Sequence, residues 1–453
     1  MPLTPFINAI LHCIIFYNYA ILQYSIILEN PMSDAILKAI LDWNPWLQGN
    51  FPETLLGFQR DYNLPDLLQL PEIKILEGAR RTGKSTLMYQ VIAHLHVEGK
   101  RVLYLNFDDE DLNKHTLKDI FYVFQKNEPI EYLFLDEIQQ CGEWVPFVRK
   151  LYDTHAIKQL WISGSNSSLI KQDYKTLLTG RNITLDIFPL SFPEYLRFNQ
   201  QENNTLPFSS EQEAKTIALF ERYLEFGAFP AVTLRPVYQK ELLINYFEDI
   251  LYKDIMTRYD VNAIKLKELA VYLCSQSAKE FSYRNIANTL KLHANTVVEY
   301  MSHFQEVFLF NELYRFDYSL KQQLINNKKI YVLDVGLAAA NAFLFSHDNG
   351  RRLENLVHNE LRRRGLEIYF HRNKKECDFI VKQELEITQA IQVTYSLGDH
   401  STREREIAGL VEALEHYRLQ EGWIFTMYEE ETIAMEQYQI HVLPVWKWLV
   451  NHV

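Results

Sequence analysis

Ile73-Lys74-Ile75-Leu76-Glu77-Gly78-Ala79-Arg80-Arg81-Thr82-Gly83-Lys84-Ser85-Thr86 decides how the rest of the chain is read. A short apolar run closes on Gly78. Gly83-Lys84-Ser85 then opens a helical pattern through Leu87, Met88, Val91, Ile92 and Leu95. The spacing satisfies G-x-x-x-x-G-K-[ST], a phosphate-binding loop set between a strand and a helix. Glycines let the backbone curl its N–H groups toward an anion, and the helix N-terminus adds a favourable partial charge. Gly78, Ala79, Arg80, Arg81, Thr82, Gly83, Lys84, Ser85 and Thr86 are therefore the expected ATP contacts. Lys84 would reach the β- and γ-phosphates, and the Ser85 hydroxyl would face Mg²⁺.

Outward from the loop, strand-like and helix-like patterns alternate, as in a parallel sheet covered on both faces. Strands are expected at Ile73–Glu77, Val102–Phe107, Tyr132–Leu135, Leu160–Ser163 and Ile183–Ile187. Helices are expected at Ser85–Glu98, Leu117–Gln125, Trp144–Asp153 and Ser168–Thr176. The third strand runs into Asp136-Glu137, as in the Walker-B segments of P-loop ATPases. It would end at the carboxyl edge of the sheet, where open α/β sheets bind ligands. Asp136 is placed to hold Mg²⁺, and Glu137 to polarise the attacking water as general base. Ser163, Ser165 and Asn166 after the fourth strand are candidates for a γ-phosphate contact, and equally for a helix cap and turn. Arg181 reads two ways, as an arginine finger reaching a neighbouring subunit or as half of a surface salt bridge. Trp43, Trp46 and Phe51 would cover either an adenine ring or the apolar core.

The bulk properties are those of a globular protein of two or three domains: 453 residues, 47% hydrophobic and 23% charged. A net charge of -12 argues against a whole-molecule nucleic-acid coat but leaves room for a local basic face. Cys13, Cys141, Cys274 and Cys377 form no C-x-x-C pair, which suits a reducing cytoplasm. No charge occurs from Pro5 to Leu28, a length that could cross a bilayer, yet no Lys or Arg precedes it and polar residues dilute it. Residues 1–31 are read as a mis-called extension ahead of Met32 rather than a membrane anchor.

Several separate motifs together resemble a large prokaryotic AAA+-like ATPase family whose members carry a C-terminal domain of unknown function. They are Arg80-Arg81 inside the loop, Leu135-Asp136-Glu137-Ile138-Gln139, Ile162-Ser163-Gly164-Ser165, Gly180-Arg181 and Phe188-Pro189-Leu190-Ser191-Phe192. Tyr223-Leu224-Glu225-Phe226-Gly227-Ala228-Phe229-Pro230 and Tyr252-Lys253-Asp254-Ile255 extend the likeness. The fold class is α/β, with a P-loop ATPase core over residues 32–205 and a helical lid over 206–260. A winged-helix-like module is expected over 261–345, and an α/β restriction-endonuclease-like domain over 346–453.

Phe281–Leu290 and Asn295–Met301 are amphipathic and joined by a tight turn, with Ser282 as the expected cap of the first. Phe308–Phe316 and Lys329–Leu333 would supply a wing. The last region offers Glu360 on a helix, Asp378 opening a strand and Gln392 on the next. This resembles the PD-(D/E)XK nuclease pattern, with Thr394 where that pattern has lysine. Without the lysine, a scaffold that keeps the fold is favoured over a cutting enzyme. Arg362, Arg363, Arg364, Arg372, Lys374 and Lys375 could follow a phosphate backbone or form a solvated face. The function expected is ATP hydrolysis with Mg²⁺, coupled to movement of the C-terminal half, in a cytoplasmic protein away from membranes. Alternatives are an ATP-gated DNA-binding or weakly nucleolytic protein, or a slow nucleotide switch. A homo-oligomer is an open expectation.

Overall fold

The computed structural model describes residues 31–49, 51–125, 129–166, 178–201, 206–342 and 348–451. The expectations for residues 1–30 and for the helix Ser168–Thr176 lie outside the described residues. The chain divides into two compact units. One takes the described residues up to Leu76, Ser85–Gly164 and the described residues up to Leu185; the other takes Glu77–Lys84, Ser165, Asn166 and the described residues from Asp186 onward.

The first unit is an α/β layer. Its strands are β1 (Ile73–Glu77), β2 (Val102–Asn106), β3 (Tyr132–Asp136), β4 (Gln159–Gly164) and β5 (Asn182–Asp186), in the order β2-β3-β4-β1-β5. The pairs β2–β3 and β3–β4 are parallel, with Leu105 opposite Leu135 and Leu135 opposite Ile162. All five residues of β1 are buried, Lys74 and Glu77 included, as a strand inside a sheet covered on both faces requires. The helices Leu117–Gln125 and Trp144–Asp153 turn Ile120, Phe121, Val148 and Leu151 into one core with Leu103, Leu133 and Ile162.

The break at Asn44-Pro45-Trp46 has a structural purpose. Asn44, fully buried, donates its amide to the Tyr104 carbonyl at 2.7 Å and accepts from the Tyr104 N–H at 2.8 Å. It thus stands in for a further strand against the edge strand β2 and satisfies groups that would otherwise be orphaned. Trp46 is buried, stacked on Phe51 with centroids 5.3 Å apart, and its edge faces Tyr89 and Tyr104. Trp43 donates to Asp109 at 2.9 Å. These rings pack over the sheet.

The second unit holds two further sheets. A three-stranded antiparallel sheet runs β6-β8-β7, from β6 (Glu280–Phe281), β7 (Phe310–Tyr314) and β8 (Lys328–Val332). Ahead of its hairpin lie the helices Tyr283–Leu290 and Ala294–Glu306. Ser282 caps the first by accepting from the Asn285 N–H at 3.2 Å. Ile286 and Ala287 meet Val297 and Met301 in a shared core with the helix Ala263–Ser275.

The six-stranded sheet has the order β13-β14-β12-β11-β10-β9. Its members are β9 (Glu367–Arg372), β10 (Glu376–Gln383), β11 (Glu386–Val393), β12 (Glu421–Thr426), β13 (Glu431–Ala434) and β14 (Gln439–Pro444). The β9–β10–β11 part is antiparallel, while β11–β12 and β12–β14 are parallel. One core draws together the helices Asn349–Arg363, Ser210–Phe226 and Val445–Val450 with this sheet, and Trp446 stacks on Phe208. Among the described residues no helix is long and apolar enough to cross a membrane.

Candidate nucleotide site

The phosphate-binding loop begins where β1 ends. Gly78 has φ +154°, and a Cβ there would stand 2.3 Å from the Ile187 carbonyl oxygen. Only glycine fits. Arg81 and Gly83 also take positive φ, +69° and +101°, a backbone curl of the kind an anion cradle needs. Thr82 Oγ1 ties the curl by donating to the Ala79 carbonyl at 3.0 Å. Lys84 is 4% exposed, and its ammonium donates to the carbonyls of Gly78 and Ala79 at 2.9 and 3.0 Å. Those partners are neutral, so the ammonium charge is not cancelled by them.

The two arginines of the loop diverge. Arg80 Nε donates to both oxygens of the fully buried Asp254, at 2.8 and 2.9 Å. Arg81 is over half exposed, 3.8 Å from Asp249 and 5.6 Å from the centroid of the Tyr246 ring.

The first unit gathers the carboxylate of β3. Asp136, 1% exposed, accepts from Tyr104 Oη at 2.6 Å and from Ser163 Oγ, and the Ser85 hydroxyl lies close enough to favour its charged form. Burial, with the Glu137 charge beside it, pushes its carboxyl above the ordinary carboxylate range, and those hydroxyls pull the other way. Ser85 and Asp136, predicted as metal holders, are thus together, and Tyr104 joins them. Oxygen donors of this kind suit a hard divalent cation. Glu137 has φ +50° and is half-buried; its N–H donates to Ser163 Oγ at 3.2 Å and its carboxylate accepts from Gln139. Of the three polar candidates, Ser163, which falls inside β4, therefore serves Asp136, and Ser165 donates to Asp254 at 3.1 Å. Arg181 pairs with Asp153 at 2.7 Å.

The C-terminal residues arrange themselves differently from the predicted set. Asp378 and Gln392 do meet: the Asp378 N–H donates to Gln392 Oε1 at 3.2 Å, and Gln392 donates to the buried Glu406 at 2.5 Å. Glu360 instead binds Arg363 and Arg364, both at 3.0 Å. The acid on its helix that shares a partner with Asp378 is Glu354. Lys329 Nζ on β8 lies 2.8 Å from Glu354, 2.8 Å from Asp378 and 2.7 Å from Glu376. Burial alone would lower the Lys329 pKa, but the carboxylates carry it well above its ordinary value. Burial and the Asp378 charge push Glu354 up to about 8. Arg363 also donates to the Pro189 carbonyl at 2.8 Å, and Arg364 lies over Trp448 with 4.4 Å to the centroid. These two arginines have intramolecular partners. Among the described residues no group of three His, Cys, Asp or Glu is placed to hold a metal ion.

With this geometry in view, comparison with known proteins places an AAA domain over residues 70–196, and a domain of unknown function (DUF8612) over 217–348. The core is thus an AAA-type P-loop domain, a class that binds ATP. The chain belongs to the same family as the uncharacterized protein MJ1544 of Methanocaldococcus jannaschii. The two are 32% identical over 404 residues, spanning 84% of this chain and 89% of that one. An uncharacterized protein of Haemophilus influenzae is 28% identical over 414 residues, covering 86% and 98%. Among solved structures, AMPPCP-bound DnaA from Aquifex aeolicus aligns over 54% of this chain and 86% of its own, at 17% identity and a TM-score of 0.26. The Aeropyrum pernix Orc1 protein in complex with DNA aligns over 64% and 94%, at 12% identity and 0.32. These two likenesses are weak, and the family assignment does not rest on them.

Proposed function

We propose that the protein hydrolyses ATP at the loop Gly78–Thr86. The observation that carries this is the Ser85–Asp136 pair at the end of β3, together with a loop whose buried Lys84 has only neutral carbonyl partners. Lys84 and the loop N–H groups would bind the phosphates. Ser85 and Asp136 would hold Mg²⁺, which neutralises phosphate charge when bound. Glu137 would orient and deprotonate the attacking water. Arg181 would act as a finger toward a second copy of the chain, leaving a solvent-screened surface pair with Asp153 that costs little to break.

The helix pair with the β7–β8 hairpin supports a winged-helix reading, and the β9–β12 sheet with its two flanking helices supports a restriction-endonuclease-like fold. We read both as moving or docking parts driven by nucleotide state in a cytoplasmic protein. Lys329 among the carboxylates supports a scaffold over a nuclease. Phosphate release from ATP, measured for wild type, Lys84→Ala and Glu137→Gln, tests the proposal. Both variants should lose turnover, with Glu137→Gln still binding nucleotide. Unchanged hydrolysis in Glu137→Gln removes the general-base role.

A further inference from the structure

Asp254 is fully buried, and donors from two distant stretches of sequence converge on it. Arg80 Nε reaches both oxygens at 2.8 and 2.9 Å, Ser165 Oγ reaches Oδ1 at 3.1 Å, and Arg258 Nη2 stands 3.8 Å away. Arg80 belongs to the phosphate-binding loop, and Ser165 to the turn directly after β4. Asp254 itself lies in a π-helical turn, Ile250–Met256, that continues the helix Gln239–Asp249.

Such a turn holds an extra residue, which rotates the facing of the residues beyond it by roughly 100° compared with an unbroken α-helix. Here Leu251 and Ile255 stay in the apolar core while Tyr252 and Lys253 remain exposed and Asp254 turns inward. A buried ion pair gives little net stability over apolar packing of the same volume. Its placement is therefore better explained by the groups it holds. One carboxylate fixes an arginine inside the loop and a hydroxyl in the turn where a γ-phosphate contact was expected. The adjacent Arg81, by contrast, is exposed and only loosely attached.

We propose that Asp254 is a positioning residue for ATP hydrolysis. By holding Arg80 and Ser165 on a single carboxylate it sets the loop and the turn after β4 in one arrangement, so that turnover, rather than nucleotide affinity, depends on the π-helical turn. This rests on the ATPase reading above and adds the element through which the helices beyond residue 239 would sense the nucleotide.

The test uses the full chain, with steady-state hydrolysis and titration of a fluorescent ATP analogue side by side. In Asp254→Asn, kcat should fall roughly 100-fold, as for a misplaced but intact reacting group. The dissociation constant should move by less than about threefold. Asp254→Glu should recover part of the lost kcat. Arg80→Gln should also slow turnover, and the double variant should be no slower than the worse single one, since the two act as a unit. A wild type without Lys84-dependent hydrolysis defeats the ATPase reading and this inference with it. A wild type that hydrolyses ATP, with Asp254→Asn within about threefold of it or losing affinity in step with kcat, overturns the inference alone. If Asp254→Asn fails to fold, Ser165→Ala and Arg80→Gln carry the comparison, and an unchanged kcat in both overturns it.

Discussion

Lys84 and Lys329 are both nearly inaccessible, at 4% and 1% exposure, but their ammonium groups meet different partners. Lys84 donates to two backbone carbonyls, which take up two of its three hydrogens and leave its charge in place. Lys329 sits among Glu354, Asp378 and Glu376, and no anion entering from outside could outbid the acid groups already at contact. A buried cation with neutral neighbours attracts a ligand, whereas one with anionic neighbours joins parts of the fold. The same contrast appears in the acids. Asp136 is met by hydroxyls from Tyr104, Ser163 and Ser85, while Asp378 accepts from Lys329 and from the Val393 N–H at 3.0 Å.

The contrast can be broken most sharply by removing each lysine. Lys84→Ala should reduce ATP turnover by roughly 10³-fold, with the unfolding midpoint in denaturant nearly unchanged. Lys329→Met should do the reverse, destabilising the chain by about 3 kcal/mol or more because it strands buried carboxylates. Equal stability losses in the two variants would end the distinction.

A smaller effect is read by pH. Glu354 has a folded pKa of about 8, raised by burial, against an ordinary carboxyl in the unfolded chain. The native state therefore holds an extra proton in the window between the two, and stability should fall as pH rises toward 8. Glu354→Gln, which keeps an acceptor for Lys329 and Tyr331, should flatten that fall by a few degrees in Tm between pH 6 and pH 9, measured by calorimetry. Smaller still, Thr394→Lys should give no Mg²⁺-dependent DNA cleavage, because Asp378 is already engaged; cutting by this variant would revive the nuclease reading. Arg181→Ala should leave the unfolding midpoint nearly unchanged, because its pair with Asp153 is screened by solvent, so any large loss of turnover in it would have to come from contact with a second copy.

How much of this is readable in the chain depends on how local each feature is. The loop, β3 with Asp136, and the cap at Ser282 are written in contiguous residues, and the strands fall within a residue or so of their expected bounds. The Arg80–Asp254 contact joins residues 174 apart and rests on a π-turn that ordinary helical periodicity hides. Lys329 escapes the nuclease-like pattern because that pattern seats its lysine on the strand after Asp378, whereas this one arrives from a separate sheet. Glu360 carries its own warning. Arg363 and Arg364 come after it at helix-neighbour spacing, the pattern of an intrahelical ion pair, whereas neither Arg nor Lys comes after Glu354 at that spacing.

The core that joins Leu190–Ala228 to the helix Val445–Val450 has a consequence for how the protein is made. Phe208 finds its stacking partner Trp446 only after the long stretch between them has left the ribosome. A contact so distant in sequence must wait for the stretch between its partners to be made. The phosphate-binding loop emerges ahead of it, but the segment packed on this core keeps apolar surface open until Trp446 arrives. A nascent chain would thus pass through a period of exposure to chaperones, and truncation before Trp446 should yield an aggregating product rather than a smaller folded one.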